Sequence, residues 1–153
     1  MENKSNVKGL TFAQTLYTLM KSIEEKFTFT KKERLSGTKR IDYLFKEGDS
    51  FISYPLRVLY LTHEQSANPT CSILISVPKK RVKKAVQRNQ IKRLIRESYR
   101  LNKTLIGTAI DDKTLDIAFI YVKDTVSDFQ MVEKAMKKAL TQISNSITNI
   151  TDR

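Results

Sequence analysis

Two regions of the chain place apolar residues at helical spacing. Between Thr38 and Lys46, Ile41, Leu44 and Phe45 stand at positions i, i+3 and i+4, about one helical turn apart. A longer pattern begins at Ser127 or Asp128, either of which can cap a helix, and its apolar positions are Phe129, Val132, Met136, Leu140 and Ile143. We therefore expect a short amphipathic helix early in the chain and a longer one near its end.

Four segments have the composition of β-strands, rich in β-branched and aromatic residues. Ser50–Ser53 and Leu56–Thr62 are separated by a Tyr-Pro pair, while Cys71–Val77 and Leu115–Val122 are almost wholly apolar. Such apolar runs are typical of strands that are covered on both faces. With a further helix between the last two strands, the pattern predicts an α/β fold: an α-β-β-β-α-β-α two-layer sandwich with a mixed four-stranded sheet.

The first 26 residues show no clear helical or strand pattern. They also lack the basic start and the cleavage site of a signal peptide. We expect residues 1–26 to be a disordered N-terminal extension. Alternatively, translation starts at Met20 and the residues before it are not translated. Residues 27–150 are expected to form one domain, since 153 residues suffice for a single core.

Positive charge is concentrated in one stretch, Val77–Arg100. It holds ten Lys or Arg residues and a single acid, Glu97, and so carries nine of the chain's +12 net charge. On a helix that begins near Pro78, Ile91, Leu94, Ile95 and Ser98 share one side, and the cations share the other. Like charges one turn apart repel, so this face indicates an external polyanion, such as a nucleic acid.

The run KKAVQRNQIKRLIRESYR resembles the bacterial ribonuclease P protein subunit, whose signature is an Arg-Asn-Arg helix followed by Lys-Arg and Arg-Glu. Gln90 departs from this pattern, because it replaces the second arginine. The resemblance spans about residues 27–147. The charge pattern and the resemblance together indicate these RNA contacts: Lys79, Lys80, Lys84, Arg88, Asn89, Gln90, Lys92, Arg93, Arg96 and Arg100.

The resemblance implies more than an RNA-binding helix. It implies a left-handed β-α-β crossover around the basic helix, and a subunit that binds ribonuclease P RNA and assists 5′ maturation of precursor tRNA. It also implies a cleft between the first helix and the sheet that holds the single-stranded leader of the precursor. The positions that match this cleft are Ile41, Phe45 and Tyr60.

The residues themselves offer no nucleophile paired with a base, so we expect no catalytic residue in the protein. Asp111, Asp112 and Asp116 are a weak metal-binding candidate, because Asp-rich turns usually end elements of structure. We expect no metal on the protein and Mg²⁺ held mainly by the RNA subunit. His63 and Cys71 are the only residues of their kinds, and we expect both to be structural or incidental.

Two alternatives stay open on the residues alone. One is a general RNA-binding or ribosomal protein without a role in tRNA cleavage, and the other is a metal nuclease that uses the aspartates. We expect neither a membrane, because no apolar run is long enough to span one, nor DNA as a partner. A lone cysteine suits a reducing compartment, so a cytoplasmic location is expected.

Overall fold

The structure, a computed structural model, describes residues 11–26, 28–63, 70–107, 110 and 113–151. A helix precedes the predicted elements, and two short 3₁₀ turns, Lys31–Glu33 and Lys103–Leu105, lie between them. The helices and strands in chain order are α1 (Phe12–Lys26), α2 (Thr38–Glu47), β1 (Asp49–Ser53), β2 (Leu56–His63), β3 (Cys71–Ser76), α3 (Ala85–Asn102), β4 (Thr114–Tyr121) and α4 (Phe129–Thr151).

The four strands form one mixed sheet in the order β1-β2-β4-β3. β1 and β2 are an antiparallel hairpin that turns at Tyr54 and Pro55, and β2 also pairs antiparallel with β4. β3 pairs parallel with β4, and α3 connects them. The predicted element order and the mixed four-stranded sheet are confirmed, while the left-handed crossover stays a prediction.

Helices cover both faces of the sheet. On one face the side chains of α3 and α4 pack against alternate residues of the strands, among them Val58, Ile117 and Phe119. On the other face α2 inserts Leu44, which is wholly buried, against Leu59 and Ala118. The structure thus adds a layer to the predicted two-layer sandwich, because residues of opposite parity on β2 and β4 are both apolar.

The basic stretch is not helical from its beginning. The carbonyl of Pro78 accepts the N–H groups of Arg81 and Val82, at 3.0 and 3.1 Å, in a turn that ends with an extended Lys84. Val82 is buried and ties this turn to the main core. The expectation of a helix from Pro78 is therefore wrong: residues 78–84 form a loop, here called the basic loop, and α3 starts at Ala85.

The N-terminal region also differs from expectation, because the structure forms α1 where the sequence pattern predicted no regular element. The side chains of α1 from Phe12 to Lys21 are all exposed, including Phe12 and Tyr17. Residues 1–10 lie outside the described residues, and the division into an extension and a domain stays a prediction. Of the helices described, none is long and apolar enough to cross a membrane.

Candidate nucleic-acid interface

α3 separates an apolar face from a cationic one. Ile91, Ile95 and Ser98 are wholly buried and Leu94 is half-buried, which confirms the predicted core face. The opposite side, here called the cationic face, comprises three exposed residues and three that are half-buried. The exposed ones are Asn89, Gln90 and Arg93, and the half-buried ones are Lys92, Arg96 and Arg100.

The charges of this face are mostly not neutralised by the protein. Arg100 Nε donates to Glu97 Oε2 at 3.0 Å, and this hydrogen bond lowers the pKa of the Glu97 carboxyl below its ordinary value. Within the described part of the chain, Lys92, Arg93 and Arg96 form no ion pair. Lys92 and Arg96 are one turn apart and repel each other, so a bound anion would be favourable on this face.

Arg88 contributes hydrogen bonds to the fold as well as a positive charge. Its Nη1 donates to the carbonyl oxygens of Val82, at 3.0 Å, and Lys83, at 2.6 Å. These bonds join the first turn of α3 to the basic loop, on which Lys79, Lys80 and Lys84 are exposed. Arg88, itself a predicted RNA contact, therefore connects the predicted contacts of the basic loop to the cationic face.

The three predicted leader contacts do not share one surface. Ile41 packs on the sheet face covered by α2, and Phe45, one turn further along α2, is 46% exposed. Tyr60 belongs to the other face, where its ring packs edge-on against Phe51 with centroids 6.0 Å apart. The assignment of Tyr60 to the cleft is thus corrected, since adjacent residues of a strand point to opposite faces and Leu59 is the one that faces α2.

A strip of the sheet beside α2 is open. The strand register aligns Ile52 with Arg57, Arg57 with Ile120, and Ile120 with Ser76 in one row on the α2 side. Ile52 is 59% exposed and Arg57 is exposed, so this row, here called the open strip, leaves an aliphatic and a cationic group accessible. The available sequence signal for Arg57 is a lone cation inside an apolar strand, LRVLYLTH.

Asp116 and His63 form part of the fold. Asp116 is wholly buried, and its Oδ2 accepts from Arg40 Nε at 2.8 Å and lies 2.9 Å from His63 Nε2, while its Oδ1 accepts from Arg40 Nη2. The His63 ring also stacks on Tyr43, with centroids 6.1 Å apart. Both carboxylate oxygens of Asp116 are thus engaged within the protein, and its predicted metal partners Asp111 and Asp112 lie outside the described residues.

Cys71 does not resemble a reactive thiol. It lies at the start of β3, and the hydroxyl of Tyr99 donates to its sulfur at 3.4 Å. Burial raises the pKa of the Cys71 thiol to about 12 and also raises the pKa of the Tyr99 phenol. Because the thiolate is the nucleophile, a thiol that stays protonated at neutral pH is inert, in agreement with the structural role expected for this residue.

Comparison with known proteins identifies a family model and relatives that this chain is similar to. A family model described as Ribonuclease P matches residues 29–144. The ribonuclease P protein component of Porphyromonas gingivalis is 42% identical over 123 residues, which span 79% of this chain and 90% of that protein. The protein component of Chlorobium phaeobacteroides is 30% identical over 125 residues, spanning 74% and 86% of the two chains.

Solved structures agree with the fold. The ribonuclease P protein from Thermotoga maritima has a TM-score of 0.57 and 30% identity, and the match covers 72% of this chain and 96% of that one. The protein from Staphylococcus aureus has a TM-score of 0.56 over 74% of this chain and 96% of that one, and at 23% identity it shows the shared fold alone.

Proposed function

This chain belongs to the ribonuclease P protein family, and we propose that the cationic face of α3 and the basic loop bind the RNA subunit of ribonuclease P. Membership makes the chain the protein component of a ribonucleoprotein endoribonuclease that acts in 5′ maturation of tRNA. The proposal is supported by the absence of ion pairs between Lys92, Arg93 or Arg96 and any described residue. The neighbouring acidic residue of α3, Glu97, is paired with Arg100. Regularly spaced phosphates are the anion that such a helix face suits.

The substrate side of the proposal concerns precursor tRNA. We place the single-stranded leader on the α2 side of the sheet, over Ile41, Phe45 and the open strip. Phe45 offers a ring for base stacking, and Arg57 offers a cation that has no ion pair among the described residues. Stacking tolerates any base, so this surface suits a leader of variable sequence.

The chemistry is assigned to the RNA subunit and to Mg²⁺ that the RNA holds. The described residues include no cluster of three or more side chains suited to bind a metal ion, and Asp116 is committed to Arg40 and His63. Mg²⁺ bound on the RNA would supply the chemistry of cleavage, by activating a water as the nucleophile and stabilising the leaving oxygen. The positive field of α3 then substitutes for part of the Mg²⁺ that screens the RNA phosphates. The proposed compartment is the cytoplasm.

Reconstitution tests the proposal directly. The purified chain is added to a bacterial ribonuclease P RNA at low Mg²⁺, and cleavage of precursor tRNA is followed together with binding of the RNA subunit at several salt concentrations. We expect cleavage to be stimulated, and binding to weaken steeply with salt. Arg93→Ala should lower the log-log salt slope by about 0.7 to 0.9, the value for one phosphate contact.

The matched control is Lys138→Ala, which removes one exposed charge from α4, away from the cationic face. Its salt slope should equal that of the unmodified chain. Equal slopes for Arg93→Ala and Lys138→Ala would show that net charge, and not the α3 surface, governs binding. RNA binding without any stimulation of cleavage would instead favour the general RNA-binding alternative.

The leader surface has its own test, in which the affinities for precursor and mature tRNA are compared. Phe45→Ala should weaken binding of a precursor with a leader of several nucleotides by about 1 to 3 kcal/mol, the usual contribution of a stacked base. Mature tRNA should bind as before. Tyr17→Ala is the control, because Tyr17 is an exposed aromatic of α1, and equal losses for both tRNAs would place the leader elsewhere.

A further inference from the structure

A small cavity lies at the free edge of the sheet, between β3, α3 and the segment before α2. The Leu35 N–H donates to the Ile73 carbonyl at 2.8 Å, so the segment from Phe29 to Leu35 covers part of the β3 edge. Its bridge to β3 is isolated at Arg34 and Ile73, and Ile75 therefore lies beyond the covered part. The cavity holds about 230 Å³ and its walls include Phe29, Arg34, Leu35, Ile75, Lys92 and Arg96. We call it the β3-edge pocket.

The charge of the β3-edge pocket is unbalanced. Arg34, Lys92 and Arg96 line it and no acidic residue does. The nearby Glu33 is engaged elsewhere, because it accepts from Lys103 Nζ at 2.7 Å. Since none of the three cations forms an ion pair with a described residue, the pocket attracts an anion.

The Arg96 guanidinium adds a directional requirement. Its Nε is buried and has no hydrogen-bond acceptor among the described residues. A buried donor without a partner costs free energy, and native proteins rarely leave one unless a ligand or water supplies the acceptor. The Nε–H of Arg96 thus needs an acceptor of the kind that a phosphate or a base oxygen provides.

The remaining walls are apolar and one is aromatic. The Phe29 ring packs edge-on against Tyr99, with centroids 6.0 Å apart, and the Arg34 guanidinium carbon lies 5.9 Å from the Phe29 ring centre. Guanidinium planes and aromatic rings are the surfaces on which unpaired RNA bases stack. The cavity has the volume of about eight water molecules at roughly 30 Å³ each, which is of the order of the size of one nucleotide.

We propose that the β3-edge pocket binds one unpaired nucleotide of the RNA that lies along α3. Its phosphate pairs with Lys92 and Arg96, and its base packs between Arg34 and the aliphatic wall. The inference rests on the proposed RNA-binding role of the cationic face and adds Phe29 and Arg34 to it. Because these two residues precede α2, the segment before the first predicted helix becomes part of the RNA-binding surface.

Charge-preserving variants test this inference. Arg96→Lys keeps the net charge but removes the Nε donor and the planar fork, so binding of the ribonuclease P RNA should weaken about tenfold. Arg34→Lys keeps the charge at an exposed position, so the melting temperature should be unchanged, and it should weaken binding severalfold through loss of stacking. Arg93→Lys makes the same change on the cationic face outside the pocket, and its loss should be clearly smaller than that of Arg96→Lys.

Chemical probing of the RNA backbone supplies a second readout. The unmodified chain should protect one unpaired nucleotide whose 2′-hydroxyl becomes reactive again with Arg96→Lys and with Arg34→Lys, while other protections persist. If all three variants lose affinity equally and no single nucleotide changes, the pocket inference is overturned and the proposed function stands. If the unmodified chain fails to bind the RNA or to stimulate cleavage, the proposed function fails and the inference with it.

Discussion

Arg40 on α2 and Arg96 on α3 both lie half-buried against the sheet, but their surroundings differ. Arg40 forms a paired hydrogen-bonded contact with the wholly buried Asp116, which also contacts His63. Arg96 has a buried Nε without a partner and shares its pocket with two more cations. A cation whose carboxylate comes from the same chain stabilises the fold, whereas a cation left without one is available to a ligand.

Removing the carboxylate of the first pair should have the largest effect. Asp116→Ala removes a wholly buried carboxylate that accepts two hydrogen bonds from Arg40, and at about 1.5 to 3 kcal/mol for each bond to a charged group we expect the free energy of unfolding to fall by about 3 to 5 kcal/mol. Urea unfolding measures it. The RNA affinity of the folded fraction should be unchanged, because Asp116 is on the α2 side and away from α3. A loss below about 1 kcal/mol would contradict a structural role for the pair.

The apolar face of α3 should show the next largest effect. Ile91→Ala removes a wholly buried side chain and should cost about 2 to 4 kcal/mol of stability. Leu94→Ala should cost less, because Leu94 is only half-buried. Thermal or urea unfolding of both variants gives the comparison, and an equal or greater loss for Leu94→Ala would show that burial does not set the contribution of each residue on this face.

Arg88 tests the contrast between cations that stabilise the fold and cations available to a ligand, because it has both roles. Arg88→Ala removes the hydrogen bonds to Val82 and Lys83 and should lower the unfolding free energy by about 1 kcal/mol, as well as weakening RNA binding. Lys84→Ala is the control, since it is exposed and should lower RNA affinity alone. Unchanged stability of Arg88→Ala would mean that Arg88 acts only as a cation.

The N-terminal region should give the smallest effect. Deleting residues 1–19 removes the first half of α1, whose described side chains are exposed, so stability should change by less than about 0.5 kcal/mol. Cleavage supported by the RNA subunit should persist. A truncated chain that melts several degrees lower, or that no longer stimulates cleavage, would show that this region packs on the domain or contacts RNA.

Much of the fold follows from local sequence patterns. The β-branched, aromatic and apolar composition of the strands places β1, β2, β3 and β4 close to their observed bounds. The helical spacing of apolar residues does the same for α2 and α4. The cationic face is also local, since Ile91 and Ile95 specify the buried side of α3 and leave Lys92 and Arg93 on the other. The start of α3 does not follow from the local sequence, because burial of Val82 holds the basic loop in a turn.

Only the tertiary structure decided which residues meet across long stretches of chain. β2 is apolar on both faces, so its sequence could not tell whether Leu59 or Tyr60 would face α2, and the choice comes from the register of the whole sheet. Arg40 reaches Asp116 across 76 positions. Phe29 and Arg34 approach Lys92 and Arg96 only because the edge of β3 pairs with Leu35, a contact that no local period encodes.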